Sequence, residues 1–165
     1  MIVFKIIMSK LYSLSTVQKI PTSLDVLWDF VSSPQNLKLI TPPEMGFDIT
    51  IDTPVDKMYA GLIIAYNVSP VLGIKLNWVT EISQVVDKQY FVDEQRFGPY
   101  SFWHHKHFLK EIDGGVEMTD IVHYKLPLGF LGDIANTLFV KNQLKKIFDF
   151  RTVAMDKAFG KWPNN

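Results

Sequence analysis

The segment SFWHHKHFLKEIDGGVEMTDIVHY, residues 101–124, determines how this chain folds. At its centre lies Asp113-Gly114. A two-residue Asp-Gly turn is a strong hairpin signal, because a type I′ turn needs a positive φ at both of its positions. With that turn Ile112 faces Gly115, and this pairing fixes every further cross-strand pair of the hairpin.

The predicted register sorts the four histidines of the chain onto two faces. The face with most of the large apolar side chains should point into the protein. The inward pairs are Leu109–Met118, His107–Asp120, His105–Val122 and Trp103–Tyr124, whereas the pair His104–His123 points outward. A turn at Gly114-Gly115 would instead place Asp120 opposite Leu109. That register buries a carboxylate without a partner, so we disfavour it.

Two inward histidines beside a carboxylate are compatible with three kinds of site. They could bind a metal, but Asp120 is the natural acceptor for the second nitrogen of His107, and in that role it leaves a third ligand missing. They could be an acid–base pair, although no serine or cysteine nucleophile is identifiable beside them. They could also be a satisfied polar contact that fixes strand register, with or without a ligand against it. We favour this last interpretation and expect neither a metal nor a cofactor.

Composition narrows the class of protein. The 165 residues fit one domain, and the absence of cysteine excludes disulfides and thiol nucleophiles. The 17 basic residues balance 17 acidic ones without a basic patch, so we expect no nucleic-acid partner. The sequence contains no run of about 18 apolar residues, so it predicts no membrane-spanning helix. The opening MIVFKIIMSK is interrupted by Lys5 and lacks a cleavage site, so we predict a lead-in over 1–9 and a cytoplasmic protein.

The remaining pattern predicts an α+β fold. A strand over 10–20 precedes two short helices, one over 21–33 with Thr22 and Asp25 as a capping box, and one that Pro42-Pro43 ends. Further strands are predicted over Met45–Ile51, Gly61–Val68, Ile74–Val85, Gln89–Phe97, Ser101–Ile112 and Val116–Leu126, followed by one long helix to about residue 159. Because one helix cannot cover seven antiparallel strands, a curved sheet should wrap around it and leave a cavity.

The long helix carries an apolar stripe that should face the sheet. Its members are Leu131, Ile134, Ala135, Leu138, Ile147, Phe148, Met155, Ala158 and Phe159. Arg151 falls on the same face, where it could pair with an inward carboxylate or anchor an anionic ligand group. On the sheet, Tyr66 and Trp78 are candidates for the cavity wall, although core packing would explain each of them as well.

The hairpin that precedes the quoted segment is compatible with two registers. A three-residue loop over 98–100 would turn Asp93 and Gln95 inward, with Asp93 opposite His105. A two-residue turn would reverse this alternation and turn Val92 inward. The sequence leaves both registers open.

The order of elements resembles the helix-grip fold of the START-like, or SRPBCC, superfamily, which includes polyketide cyclases and dehydrases, lipid-transfer domains and pollen-allergen-like proteins. Four segments are similar to a bacterial branch described as ligand-binding SRPBCC-domain or cell-division-inhibitor-like proteins. They are LITPPEMGF (39–47), FVDEQRFGPYSFWHHKHF (91–108), MTDIVHYKLPLGFLG (118–132) and IFDFR (147–151). The resemblance implies a single START-like domain over 10–160 with a tail over 161–165. It also implies a curved antiparallel sheet gripping the C-terminal helix, and an apolar small-molecule ligand in a deep cavity.

The resemblance does not imply a reaction, because the superfamily hosts binders and enzymes alike. We therefore expect a protein that binds a hydrophobic small molecule, such as a lipid or a polyketide-like compound. The alternatives are a cyclase- or dehydrase-type enzyme, with His107 as a general base oriented by Asp120, and a protein–protein adaptor. The sequence carries no signal for an oligomeric state. The expected ligand-binding residues are Tyr66, Trp78, Asp93, Gln95, Trp103, His105, His107, Asp120, Tyr124 and Arg151.

Overall fold

The computed structural model describes residues 10–50, 55–69 and 74–163. The predicted lead-in over 1–9, the end of the strand predicted to reach Ile51, and the last two residues of the predicted tail lie outside these ranges.

Seven strands of the described chain form one antiparallel sheet, as predicted, in the order β1-β7-β6-β5-β4-β3-β2. They are β1 (Tyr12–Ile20), β2 (Asp48–Ile49), β3 (Leu62–Val68), β4 (Leu76–Val86), β5 (Tyr90–Phe97), β6 (Phe102–Ile112) and β7 (Gly115–Lys125). The predicted second strand was too long at its start. Met45 belongs to a single 3-10 turn, Pro43–Met45, and Gly46 then turns the chain with a left-handed φ of 55°.

The predicted register of the β6–β7 hairpin is confirmed. Ile112 pairs with Gly115 and His107 pairs with Asp120. The predicted turn type is wrong, because Asp113 is not among the described residues with a positive φ, whereas Gly114 has a φ of 83°. A φ near +80° at the second central position is that of a type II turn. The loop length, rather than the turn type, therefore set the register.

The β5–β6 hairpin adopts the register of the three-residue loop, with Asp93 opposite His105. Gln95 holds this loop from inside. Its Nε2 donates to the carbonyl oxygen of Tyr100 at 2.6 Å, and its Oε1 accepts from the Tyr100 amide at 3.2 Å. These two bonds select one of the two registers that the strand pattern left open.

The first helix, α1, covers Leu24–Val31 and buries Leu27, Trp28 and Val31 in the core. The predicted capping box at Thr22 is wrong. Ser23 is the N-cap, and its Oγ accepts from the Val26 amide at 3.3 Å. The predicted second helix is a run of 3-10 turns over Pro34–Ile40.

The C-terminal helix runs without a break from Phe130 to Phe159. It consists of α2 (Phe130–Ala135), one π-type turn (Asn136–Val140) and α3 (Lys141–Phe159). The apolar stripe was predicted correctly where Phe148 and Met155 are buried. It was wrong at the start, where Leu131, Ile134 and Leu138 are exposed, and near the end at Ala158, which is also exposed. The wider π turn rotates the face that meets the sheet, so a pattern of uniform period cannot follow it.

The turns after α1 and helix α3 lie against the concave face of the sheet. One core cluster joins Leu27 and Trp28 of α1 to Met155 of α3, and a second joins Val122 and Tyr124 of β7 to α3. No helix in the described ranges is both long and apolar enough to cross a membrane.

Candidate functional site

A cavity of about 180 Å³ lies between the sheet, the turns after α1 and helix α3. This is many times the roughly 10–15 Å³ that a single water needs. Most of its lining is apolar, and includes Leu37, Ile40, Met45, Ile64, Val68, Ile82, Leu144, Ile147 and Phe148. One end is different, because two histidines, a carboxylate and an arginine reach it.

Four elements bring these charged side chains together. Along β6 the side chains alternate, so His105 and His107 both point inward. Strand pairing then sets Asp93 of β5 opposite His105, and Asp120 of β7 opposite His107. Arg151 of α3 approaches from the other wall of the cavity, with Nη2 at 3.7 Å from Asp120 Oδ1.

Each imidazole lies between the same two carboxylates. Asp120 Oδ1 is 2.7 Å from Nδ1 of His107 and 3.0 Å from Nε2 of His105. On the opposite side, Asp93 Oδ2 is 2.8 Å from Nε2 of His107 and 3.3 Å from Nδ1 of His105. All four ring nitrogens therefore face a carboxylate oxygen. We call these four residues the His–Asp cluster.

Neighbouring aromatic side chains hold the cluster in place. Trp103 Nε1 donates to Asp93 Oδ1 at 3.2 Å and so orients that carboxylate. Phe91 stacks on His107 with ring centroids 4.0 Å apart. The two imidazoles themselves are 3.7 Å apart, centroid to centroid.

The electrostatic balance keeps both carboxylates ionised. Burial by itself would raise the pKa of Asp93, but the charge of His105 and the hydrogen bonds from both imidazoles hold it well below its ordinary value. Burial likewise opposes the charge of Asp120, yet Arg151 and the two imidazoles keep that pKa low.

The pKa values of the two histidines shift in opposite directions. Burial would lower the pKa of His105, but the charge of Asp93 and the hydrogen bond to Asp120 outweigh burial and raise it. Burial lowers the pKa of His107, and the charge on His105 lowers it further. The pair therefore favours one shared positive charge over two.

Two buried donors at the cavity have no hydrogen-bond partner among the described residues. They are Nε of Arg151 and Nε1 of Trp78. Both residues line the cavity. A buried donor without an acceptor is costly, and such exceptions in folded proteins call for an explanation.

Seven of the ten sequence-predicted site residues line the cavity: Tyr66, Trp78, Asp93, Trp103, His105, His107 and Arg151. Asp120 sits behind the histidines. Gln95 braces the β5–β6 loop, and the Tyr124 hydroxyl donates to Asn136 Oδ1 at 2.8 Å. None of these three is a lining residue.

Among the lining side chains that the predicted site residues do not include are Thr80, Phe91 and Tyr100. The register with the three-residue loop turns Phe91 inward with Asp93, so Phe91 was recoverable once that register was chosen. Thr80 was recoverable as well, because it lies between Trp78 and Ile82 on the buried face of β4, where simple alternation places it.

The outward histidines form a separate pair. His104 faces His123 across the hairpin, and its Nδ1 lies 2.8 Å from Glu94 Oε1. His104 shares β6 with the inward histidines and His123 shares β7 with Asp120, but both point to the opposite face of the sheet.

Asp93, His105 and His107 could together hold a metal ion, since each offers one donor atom and these atoms lie within 4.8 Å of one another. The sequence argument against a metal rested on a missing third ligand. Asp93 supplies that donor, while Asp120 keeps the supporting role predicted for it.

Comparison with known proteins shows which solved structures share this fold. No protein-family model matches the chain, and no curated protein matches it. Solved structures do match. A START superfamily protein from Mycobacterium smegmatis has a TM-score of 0.67 at 11% identity, covering 89% of this chain and 96% of that one. The protein TTHA0849 from Thermus thermophilus has a TM-score of 0.67 at 11% identity, covering 88% and 95%.

Ara h 8.0201 matches with a TM-score of 0.61 at 14% identity, covering 90% of this chain and 99% of that one. At such low identities the likeness concerns the fold and not the site. The strand order, the two short helical segments after β1 and the long C-terminal helix agree with it. The chain has a helix-grip α+β fold like that of the START superfamily protein.

Proposed function

We propose that this protein binds a hydrophobic small molecule that carries one polar, hydrogen-bond-accepting group. The observation that supports this most directly is the pair of donors Arg151 Nε and Trp78 Nε1, which have no partner among the described residues and belong to two side chains that line a mostly apolar cavity. A carboxylate or carbonyl oxygen of a ligand would satisfy them. The positive charge of Arg151 favours the carboxylate.

The apolar body of such a ligand would supply most of the affinity. Each Å² of apolar surface removed from water contributes roughly 25 cal/mol. The polar group would orient the ligand. An unsatisfied buried donor costs about 1–3 kcal/mol of free energy, and a hydrogen bond to a bound acceptor would remove that cost. We propose that this occurs in the cytoplasm, with which a chain without cysteine is compatible.

The direct test is native mass spectrometry of the purified chain, followed by titration with decanoate, decanol and anilinonaphthalene sulfonate. We expect a saturable one-to-one complex with the two anionic probes and weaker binding of decanol. If neither a co-purified ligand nor binding of any of the three probes is detected, the proposed function is wrong.

A cavity-filling variant tests the location. Ile64 is buried and lines the cavity, so Ile64→Trp should abolish binding. Ile63, the adjacent residue on β3, is 42% exposed on the other face, so Ile63→Trp is the matched control. Unchanged binding in a folded Ile64→Trp protein would place the ligand elsewhere.

An enzyme of the cyclase or dehydrase type is the second candidate. Asp120 lies 2.7 Å from Nδ1 of His107, and burial favours the neutral imidazole that a general base needs. However, Nε2 of His107 faces Asp93 at 2.8 Å rather than open cavity, so a substrate would have to displace that contact. Turnover of a bound compound that His107→Gln removes without loss of binding would favour the enzyme.

A further inference from the structure

We propose that Asp93, His105 and His107 form a site for one divalent transition-metal ion at the polar end of the cavity. This inference goes beyond the proposed function and does not depend on an apolar ligand. It replaces the sequence-based expectation that the chain binds no metal.

The donor set is two imidazole nitrogens and one carboxylate oxygen. Asp93 Oδ2 is 2.8 Å from His107 Nε2 and 3.3 Å from His105 Nδ1. Ligands bonded to one ion at about 2.0–2.2 Å lie roughly 3 Å from each other, so small side-chain movements would suffice. Two histidines and one carboxylate on one side of an ion leave its other positions free.

The supporting contacts that a metal site needs are already present. A ligating histidine usually donates its second N–H to a carboxylate, and Asp120 Oδ1 lies 2.7–3.0 Å from that nitrogen on both rings. Trp103 holds Oδ1 of Asp93 and leaves Oδ2 to the ion. Arg151 neutralises Asp120, which does not line the cavity, whereas the three ligands do.

Metal binding would require a change of tautomer at His107. Arg151 Nη2 lies 3.4 Å from His107 Nδ1, so without an ion this nitrogen can accept from Arg151 while Nε2 donates to Asp93. With an ion on Nε2, the proton would move to Nδ1, which faces Asp120 at 2.7 Å. His105 needs no such change, because its Nε2 already lies 3.0 Å from Asp120 and its Nδ1 faces Asp93.

The ligand types limit which ion fits. Imidazole nitrogen with a carboxylate suits Zn²⁺, Fe²⁺, Co²⁺ and Ni²⁺, whereas Mg²⁺ and Ca²⁺ prefer oxygen ligands throughout. With Asp93 and Asp120 both ionised, a divalent ion and Arg151 would give the site a net charge of about +1. The free coordination positions would therefore favour an anionic oxygen, and they lie on the side that lines the cavity.

The experiment uses the full chain after removal of metals with EDTA. Titration with Zn²⁺ in a calorimeter should give one ion per chain, and Mg²⁺ should not bind. Co²⁺ should produce visible absorption bands that Zn²⁺ abolishes. Absence of saturable one-to-one binding of Zn²⁺ and Co²⁺ by the folded wild-type chain would overturn the proposal.

Variants locate the ion. Asp93→Asn and His105→Gln should weaken Zn²⁺ binding by at least about a hundredfold. Asp120→Asn, which removes only a positioning residue, should weaken it by roughly 10- to 100-fold. The matched control is His104→Gln with His123→Gln, which removes the outward pair on the same two strands and should leave the affinity within about twofold.

If the outward double variant loses the ion instead, the proposed site is wrong. Folding of each variant is checked by circular dichroism. If the inward variants do not fold, the wild-type chain and the outward double variant decide the proposal together. One Zn²⁺ bound equally by both, with a metal-dependent rise in Tm, would support the inward site.

Discussion

Asp93 and Asp120 lie on opposite sides of the same two imidazoles, and each places one carboxylate oxygen within 3.3 Å of a nitrogen on both rings. They come from strands β5 and β7, and the histidines come from β6 between them. The cluster therefore ties three adjacent strands together on the concave face, at the place where the cavity is polar. Its stability and its chemistry are set by the same contacts.

Asp120→Asn should destabilise the fold strongly. It removes the charge that faces two imidazole nitrogens and Arg151, and removal of one partner from a buried ionic group costs roughly 3–5 kcal/mol. The measurement is urea denaturation at neutral pH. The matched control is Asp149→Asn, which removes an exposed carboxylate paired with Lys145 and should change the free energy of unfolding by less than about 1 kcal/mol. Equal effects of the two substitutions would contradict the importance of the cluster.

Acid should unfold the protein through the two carboxylates. The pKa values of Asp93 and Asp120 are lower in the folded chain than in the unfolded chain, so the unfolded chain takes up more protons as the pH falls. Their contribution is complete above the ordinary aspartate pKa of about 3.9 and is lost as the pH falls below it.

The two histidines should affect the pH dependence of stability in opposite senses near neutrality. The raised pKa of His105 stabilises the fold below about pH 6.5 and is lost at higher pH, whereas the lowered pKa of His107 acts in the opposite sense. Urea midpoints measured with EDTA should fall steeply below about pH 4, where the two carboxylates become protonated. A folded Asp93→Asn variant should show a shallower acid limb, and an unchanged limb would refute this assignment.

Arg151→Lys should separate charge from geometry at the cavity. Lysine keeps a positive charge near Asp120 but lacks the Nε donor that has no partner in the described structure. A hydrogen bond to a charged group contributes about 1.5–3 kcal/mol, so decanoate affinity should fall roughly ten- to hundredfold. Binding of decane, which has no acceptor, should not change. Calorimetry or competition with a fluorescent probe measures both, and an equal loss for both ligands would rule out a specific role for the guanidinium.

Gln95→Ala should loosen the loop that carries Tyr100 into the cavity. Both hydrogen bonds of the Gln95 amide go to the Tyr100 backbone, so we expect a loss of about 1–3 kcal/mol in stability and weaker probe binding. Gln84→Ala, at an exposed position on β4, is the matched control. Gly98→Ala should resemble Gln95→Ala, because a Cβ there would lie 2.5 Å from Gln95 Oε1. Hydrogen exchange of the Tyr100 amide is the local measurement, and unchanged protection would show that the clamp is not required.

Local pattern was sufficient wherever a contact depended on one turn and on strand alternation. The pairing of His107 with Asp120 followed from a two-residue loop and a period of two, and the structure confirms it. The same reasoning failed along the C-terminal helix. The π turn at Asn136–Val140 interrupts the regular helical period, and Leu131 and Leu138 are exposed instead of packed against the sheet. It was undecided at the β5–β6 loop, where side-chain bonds from Gln95 select the register.

Residue spacing alone was enough to predict the α+β class, the antiparallel meander of the strands that follow the short helices, and the separation of the histidines into two inward and two outward. These features depend on one hairpin at a time. The packed structure was needed to show that Asp93 completes the cluster and that Arg151 reaches Asp120. It was also needed to show that two buried donors of cavity-lining side chains, Arg151 Nε and Trp78 Nε1, have no partner among the described residues. Those relations join β5, β7 and α3 across distances in sequence that no local period connects, and they exist because the sheet curves around the helix.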